Sequence, residues 1–299
     1  MPALEFRIPV SDYDLAATLA SGQAFRWRHV DGGWEGVVAG CWVRLIPEPD
    51  TVKVQFAEPC DDTRWLTHYL QSDIDLAAVT ATFPDDEPMR AAVAACRGLR
   101  LLRQEPWECL ASFILSSTKQ IVQIQQIVAL VCERFGEPVA VPPGHASEFA
   151  FPTAGRLAVC SEAGLRACKM GFRAPYLHET AAMVARGEVD LARLGALDCD
   201  AARAELMKLP GVGRKIADCV LLFAYGFQPA FPIDVWVMKA LRQLYFPRRR
   251  VSPKRLLLFT ATHFGPNAGF AQQYLFHSIR LRAGRTVATA AAAENHAKS

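Results

Sequence analysis

The segment Leu209-Pro210-Gly211-Val212-Gly213-Arg214-Lys215 constrains this chain more than any other. It lies between two stretches of helical character, Ala201 to Lys208 and the apolar run Ile216 to Gly226. Pro210 cannot continue the first helix. Gly211 and Gly213 permit a tight turn whose backbone N–H groups point outward at the start of the next helix. Such a start carries unpaired donors and the positive end of the helix dipole, so it suits a phosphate. An ordinary αα-turn using glycine only as a cap has the same residue types.

Two nearby residues add chemistry to the turn. Lys215 falls in the first turn of the second helix. Further on, in Pro232-Ile233-Asp234-Val235-Trp236, Asp234 is placed to cap another helix, where a carboxylate is electrostatically favoured. Capping alone would explain Asp234. A lysine and an aspartate converging beside a phosphate-binding turn, however, make a plausible active site. A neutral lysine amine can attack C1′ of a nucleotide sugar, displace the base and form a Schiff base. The departing base leaves oxocarbenium character on the sugar, which an adjacent carboxylate stabilises.

The rest of the chain sets the frame. Its 299 residues suggest about two domains. With 51% hydrophobic and 21% charged residues, a mainly disordered chain is excluded. The net charge of +3 neither demands nor excludes a nucleic-acid partner. Nine cysteines, an odd number without a C-x-x-C pair, fit free thiols in a reducing compartment. The first twenty residues lack a basic start followed by an apolar run, and no stretch reaches the about 20 apolar residues of a spanning helix. A soluble intracellular protein is expected, in cytoplasm or nucleoid, or in a nucleus.

Period-two alternation marks the first sixty residues. Val52, Val54 and Phe56 alternate with Lys53 and Gln55, Trp42, Arg44 and Ile46 with Val43 and Leu45, and Asp31-Gly32-Gly33 supplies a turn. An antiparallel sheet with one wet face is expected. Helical period appears at Arg64–Gln71 and Glu87–Cys96, then at Trp107–Ser116, Gln120–Phe135, Pro175–Arg186 and Ala201–Lys208. The predicted class is α+β: a β-rich N-terminal domain, residues 1–105, packed on an all-helical domain, residues 106–285. The Ala-rich tail, 286–299, carries no apolar stripe and is expected to be disordered.

Five motifs in order then become specific. They are Ser21-Gly22-Gln23-Ala24-Phe25-Arg26-Trp27-Arg28, Leu102-Arg103-Gln104-Glu105-Pro106-Trp107-Glu108-Cys109-Leu110, the hairpin through Lys215-Ile216-Ala217-Asp218-Cys219, Pro232-x-Asp234, and Ala268-Gly269-Phe270-Ala271-Gln272. Together they resemble the helix-hairpin-helix DNA glycosylases, and within them the 8-oxoguanine DNA glycosylase/AP lyase family, over roughly residues 20 to 285.

The resemblance implies that Lys215 is the nucleophile and Asp234 its acidic partner. The target base is flipped from the duplex into a pocket. Gly22 resembles the residue whose carbonyl accepts the N7–H of 8-oxoguanine, and Gln272 the side chain that reads the Watson–Crick edge. Cys219 and Phe276 would sandwich the base beside Pro232. Phe172 resembles an aromatic wedge inserted into the stack, with Arg173 beside it on the DNA strand. Gly211, Gly213, Trp236 and Arg249 of the basic run 247–255 would contact the backbone. The carbonyls of Met207, Leu209 and Val212 would hold a monovalent cation. No cofactor is required for the chemistry, and no Cys follows Cys219, so no iron–sulfur cluster is expected. The implied partner is double-stranded DNA containing oxidised guanine, met by a monomer.

Three departures stand out. Thr118 replaces an Asn, Gln123 an Arg that helps recognise the opposite cytosine, and Trp236 a His after the catalytic Asp. The first two predict a weaker preference for cytosine opposite the lesion. Two other functions compete with this reading. An alkylated-base glycosylase of the same fold usually lacks the hairpin lysine. A non-catalytic helix-hairpin-helix DNA-binding protein would leave Lys215 and Asp234 unexplained.

Overall fold

A computed structural model describes residues 4–117, 119–247 and 251–284. Thr118, Arg249 and the tail 286–299 lie outside the described residues. The chain opens with β1 (Leu4–Pro9), α1 (Leu15–Ala20) and a meander of β2 (Arg28–Val30), β3 (Gly33–Val38), β4 (Cys41–Pro47) and β5 (Thr51–Phe56). These five strands form one antiparallel sheet in the order β1-β5-β4-β3-β2. Asp31 and Gly32 both take positive φ, 46° and 74°, as a two-residue hairpin turn with the right twist requires. Val52, Val54 and Phe56 face inward and join Val43, Leu45, Trp27 and Leu66 in a core of their own. Each such side chain stabilises by about 1.5–3 kcal/mol when fully buried.

Helices follow: α2 (Arg64–Leu70), α3 (Leu76–Thr80), α4 (Glu87–Ala95), α5 (Pro106–Leu115) and α6 (Ile121–Phe135). A short ribbon of β6 (Pro138–Val139) and β7 (Glu148–Phe149) comes next. Then come α7 (Ala154–Ala158), α8 (Glu162–Leu165), α9 (Ala174–Ala185), α10 (Cys199–Leu206), α11 (Arg214–Val220), α12 (Val235–Leu244), α13 (Pro253–His263) and α14 (Ala268–Arg282). Side-chain caps start many of them, among them Asp86, Glu105, Ser161, Asp198 and Ser252. Leu76, Met89, Ala92 and Cys96, on or just after α3 and α4, pack in the same core as Trp107, Ile124, Leu177 and Val220. The polypeptide before residue 105 therefore feeds both cores.

Two expectations change. The second domain is helical but carries the β6–β7 ribbon. That ribbon and its turn also meet the sheet face expected to be wet, at Trp42, Glu35 and Arg28. His145, in the ribbon's turn, meets Trp42 edge-on at 5.1 Å, and Arg28 and Arg26 bond to Glu148 and the Phe149 carbonyl. Alternation along β4 thus separates two buried sets at Trp42 rather than a buried and a wet one.

Candidate active site

The hairpin joins α10 to α11. Gly211 has φ +75°, and a Cβ there would meet Tyr176 Cβ at 2.9 Å, so this position requires glycine. Gly213 differs from the expectation. Its backbone is extended, φ −89° and ψ 175°, and it caps α11 with open space where a side chain would stand. No side chain caps this start of α11, so its first N–H groups have no side-chain acceptor. Behind the turn, Arg203 Nε donates to Asp218 Oδ1 at 2.6 Å, a buried ion pair that ties α10 to α11.

Lys215, in the first turn of α11, reaches into a cleft of about 550 Å³. Its Nζ donates to Ser116 Oγ at 3.2 Å and lies 5.3 Å over the Phe113 ring. Asp234 opens α12 on the cleft's other side, and its Oδ1 accepts from the Trp236 and Val237 amides at 2.9 and 2.8 Å. Burial pushes its carboxyl above the usual aspartate range, against the pull of those amides, Lys215 and Arg280. Cys219, one turn after Lys215, lines the same cleft, and burial pushes its thiol up to about 12. At neutral pH that thiol stays protonated.

Gly22, Cys219, Pro232, Gln272 and Phe276 all line this cleft with Lys215, Asp234 and Trp236. The helix α14 brings Gln272 and Phe276 to it, and Gly269 lets α14 approach closely, since a Cβ there would strike Leu222 Cδ1 at 2.2 Å. Gln272 is 4% exposed and its Oε1 has no hydrogen-bond partner, so a buried acceptor faces a space able to hold a ligand. Gly22 has φ +84°. Gln23, fully buried, fixes its loop: Nε2 donates to the Thr18 and Arg100 carbonyls at 2.8 Å each, and Oε1 accepts from Leu102 N at 2.8 Å. Gln104 Nε2 donates to the Gln23 carbonyl at 2.7 Å. The first two sequence motifs are therefore one bonded unit.

Of the other expected residues, only Trp236 lines this cleft among the described ones. Phe172 is 59% exposed, as a wedge must be. Arg173 is 2% exposed; its guanidinium bonds to the Ser117 carbonyl and lies 4.3 Å from the Phe172 ring centre. It therefore braces the turn carrying Ser116 and the base of the wedge, rather than presenting a charge to a DNA strand. Gln123 stands on the exposed first turn of α6, outside the cleft lining, where its Oε1 accepts from Gln120 N at 3.1 Å. Trp236 lines the cleft with Lys239 Nζ 5.4 Å from its ring centre. At the end of α10, the Leu209 carbonyl accepts from Val212 N at 3.1 Å and keeps a second lone pair. Among the described residues, no group of three or more His, Cys, Asp or Glu is arranged for a metal, and no helix is long and apolar enough to cross a membrane.

Sequence reasoning missed Ser116, Gln273 and Arg280. None sits in a local pattern that marks a site; Arg280 reads as an ordinary basic residue near a helix end.

The family model for the 8-oxoguanine DNA glycosylase N-terminal domain matches residues 5–110, and that of HhH-GPD superfamily base excision DNA repair proteins matches residues 111–260. A probable N-glycosylase/DNA lyase of Methanothermobacter thermautotrophicus is 31% identical over 92% of this chain and 96% of its own. The N-glycosylase/DNA lyase of Saccharomyces cerevisiae is 30% identical over 89% of this chain and 83% of its own. Among solved structures, the Clostridium acetobutylicum 8-oxoguanine glycosylase/lyase, in complex with duplex DNA containing cytosine opposite 8-oxoguanine, superposes with a TM-score of 0.86. It is 29% identical and covers 95% of this chain and 100% of its own. By motif, fold and site together, the chain belongs to the 8-oxoguanine DNA glycosylase family of the HhH-GPD superfamily.

Proposed function

We propose that this protein is a bifunctional DNA glycosylase and AP lyase that excises 8-oxoguanine from duplex DNA in base-excision repair. The observation that carries the reading is the convergence of Lys215 and Asp234, from two helix starts, on one cleft lined by Gly22, Gln272 and Phe276.

The residues divide the work. The bare N–H groups at Gly213 and the start of α11 hold a phosphate, while exposed Phe172 enters the stack vacated by the flipped base. Cys219 and Phe276 face the base, the Gly22 carbonyl accepts N7–H, and Gln272 meets the Watson–Crick edge. As the glycosidic bond weakens, the Asp234 carboxylate stabilises positive charge on the sugar. The neutral Lys215 Nζ forms its bond to C1′, the base leaves with the bonding electrons and takes the proton that the newly bonded Nζ gives up, and the ring opens to a Schiff base. Loss of a C2′ proton then expels the 3′ phosphate, and water releases Lys215. No cofactor enters these steps. The carbonyls of Met207, Leu209 and Val212 would hold a monovalent cation that braces the hairpin. The protein acts as a monomer inside the cell, where its substrate is, on DNA carrying oxidised guanine.

The test is direct: a duplex with one 8-oxoguanine is incubated with the protein, and released base and strand breaks are measured separately. Release of 8-oxoguanine with a break at the same site supports the reading. Release of 3-methyladenine from alkylated DNA, with 8-oxoguanine untouched, overturns it in favour of an alkylated-base enzyme.

A further inference from the structure

Arg280, three turns into α14, is charged yet 5% exposed, and it lines the same cleft as Lys215 and Asp234. Its Nη1 donates to the Ser21 carbonyl at 3.5 Å, beside Gln273 Nε2, which donates to that oxygen at 3.4 Å. Its guanidinium carbon stands 5.2 Å from the centre of the Phe276 ring. The same Nη1 lies 3.4 Å from the point where a Gly22 Cβ would stand. One side chain thus touches the Gly22 loop and the Phe276 ring and lines the same cleft as Asp234.

Taking the proposed function as its basis, we propose that Arg280 is the positioning residue of the lesion pocket, holding the Ser21–Gly22 carbonyls and Phe276 in place while supplying the lasting counter-charge to Asp234. Asp234 shares the cleft with Lys215 and Cys219 of α11, Arg280 of α14 and Lys119 before α6, besides bonding to the amides of its own helix. Lys215 must be a neutral amine before it attacks C1′, so it lends Asp234 no charge as the glycosidic bond begins to break. The Cys219 thiol is neutral. A guanidinium keeps its charge throughout the working pH range, so Arg280, buried in the same cleft, supplies Asp234 with a lasting positive charge that a lysine on its flexible stem, such as Lys119, does not hold in one place. Burial lowers the Arg280 pKa and the attraction of Asp234 raises it, the pattern of a charge retained for its partner. A buried arginine is retained only against a desolvation penalty, which these contacts offset.

Charge and shape separate by mutation. Arg280→Met removes both, whereas Arg280→Lys keeps the charge but loses the flat face against Phe276 and the reach to Ser21. Single-turnover release of 8-oxoguanine and of guanine would be followed against pH for the wild type and both variants, with folding checked by thermal melting. In Arg280→Met the acid limb should move up by about one pH unit, a tenfold loss on that limb, with the preference for 8-oxoguanine over guanine falling about tenfold. Arg280→Lys should restore the limb but not the preference. If Arg280→Met fails to fold, Arg280→Gln carries the same expectation. An unmoved limb and an unchanged preference in folded Arg280→Met or Arg280→Gln overturn the proposal, as does full restoration of both by lysine. Should the wild type release a different base, the substrate reading fails, while the shift of the limb on that base still tests Arg280.

Discussion

Gly22→Ala isolates the reading of the lesion from the grip on DNA. At φ +84° an alanine costs about 1–2 kcal/mol, because its Cβ crowds its own carbonyl. The added Cβ would also stand 2.5 Å from Ile121 Cδ1 and 3.4 Å from Arg280 Nη1. The loop cannot swing away freely, since the hydrogen bonds of Gln23 anchor it. Ile121 must therefore move, and it too lines the cleft, so the displacement narrows the space for the base. The Gly22 carbonyl tilts with its peptide. One buried hydrogen bond made or left unmade is worth roughly 1–3 kcal/mol, or about 5- to 150-fold in rate. Single-turnover excision of 8-oxoguanine should fall by that factor, while affinity for an abasic-site duplex, which has no base to read, changes little. Equal losses on both substrates would refute the reasoning and leave Gly22 a turn residue.

Gln272→Met removes a buried acceptor that has no partner in the free protein, so it should raise thermal stability while cutting kcat/KM for 8-oxoguanine at least tenfold; unchanged excision would contradict the assigned role. Burial holds His277 at about 4, below the 6.5 of a free imidazole. Its contribution is present above pH 6.5 and lost as the pH falls toward 4, about 2 kcal/mol by pH 5, because the unfolded chain binds the proton first. Denaturant titrations at pH 7 and 5 should show that difference shrink in His277→Leu, and an equal difference in the variant would count against it. Gln123→Arg should strengthen the preference for cytosine opposite the lesion, since the Gln123 oxygen is spent on the Gln120 amide and only neutral donors remain. Excision opposite C, A, G and T measures this, and a wild-type preference for C over A of about a thousandfold would sink the idea.

Lys215 and Asp234 were legible because each sits at a helix start that its neighbours announce, the hairpin glycines for one and Pro232 for the other. Strand β5 was legible because one residue in two is apolar and its burial follows suit. The rest depends on partners distant in the chain. Gln23 reads as one polar residue in a loop, yet it bonds to Arg100 and Leu102 and makes two motifs one unit. Arg173 reads as a surface cation beside an exposed aromatic, but its buried guanidinium bonds to a carbonyl 56 residues away. Local pattern could not show Trp42 buried, because the β6–β7 ribbon that covers it comes much later. Arg280 could not be separated from an ordinary basic residue closing a helix until α14 was laid against the Gly22 loop.

The central claim is that Lys215 Nζ makes the covalent bond. Borohydride reduction during reaction with an 8-oxoguanine duplex tests it most directly, because it converts a Schiff base into a permanent protein–DNA link. The wild type should be trapped, and Lys215→Gln should give neither trapping, base release nor strand cleavage, yet still bind the lesion duplex through the backbone N–H groups of the hairpin. Trapping of Lys215→Gln at the wild-type level would mean that another residue is the nucleophile.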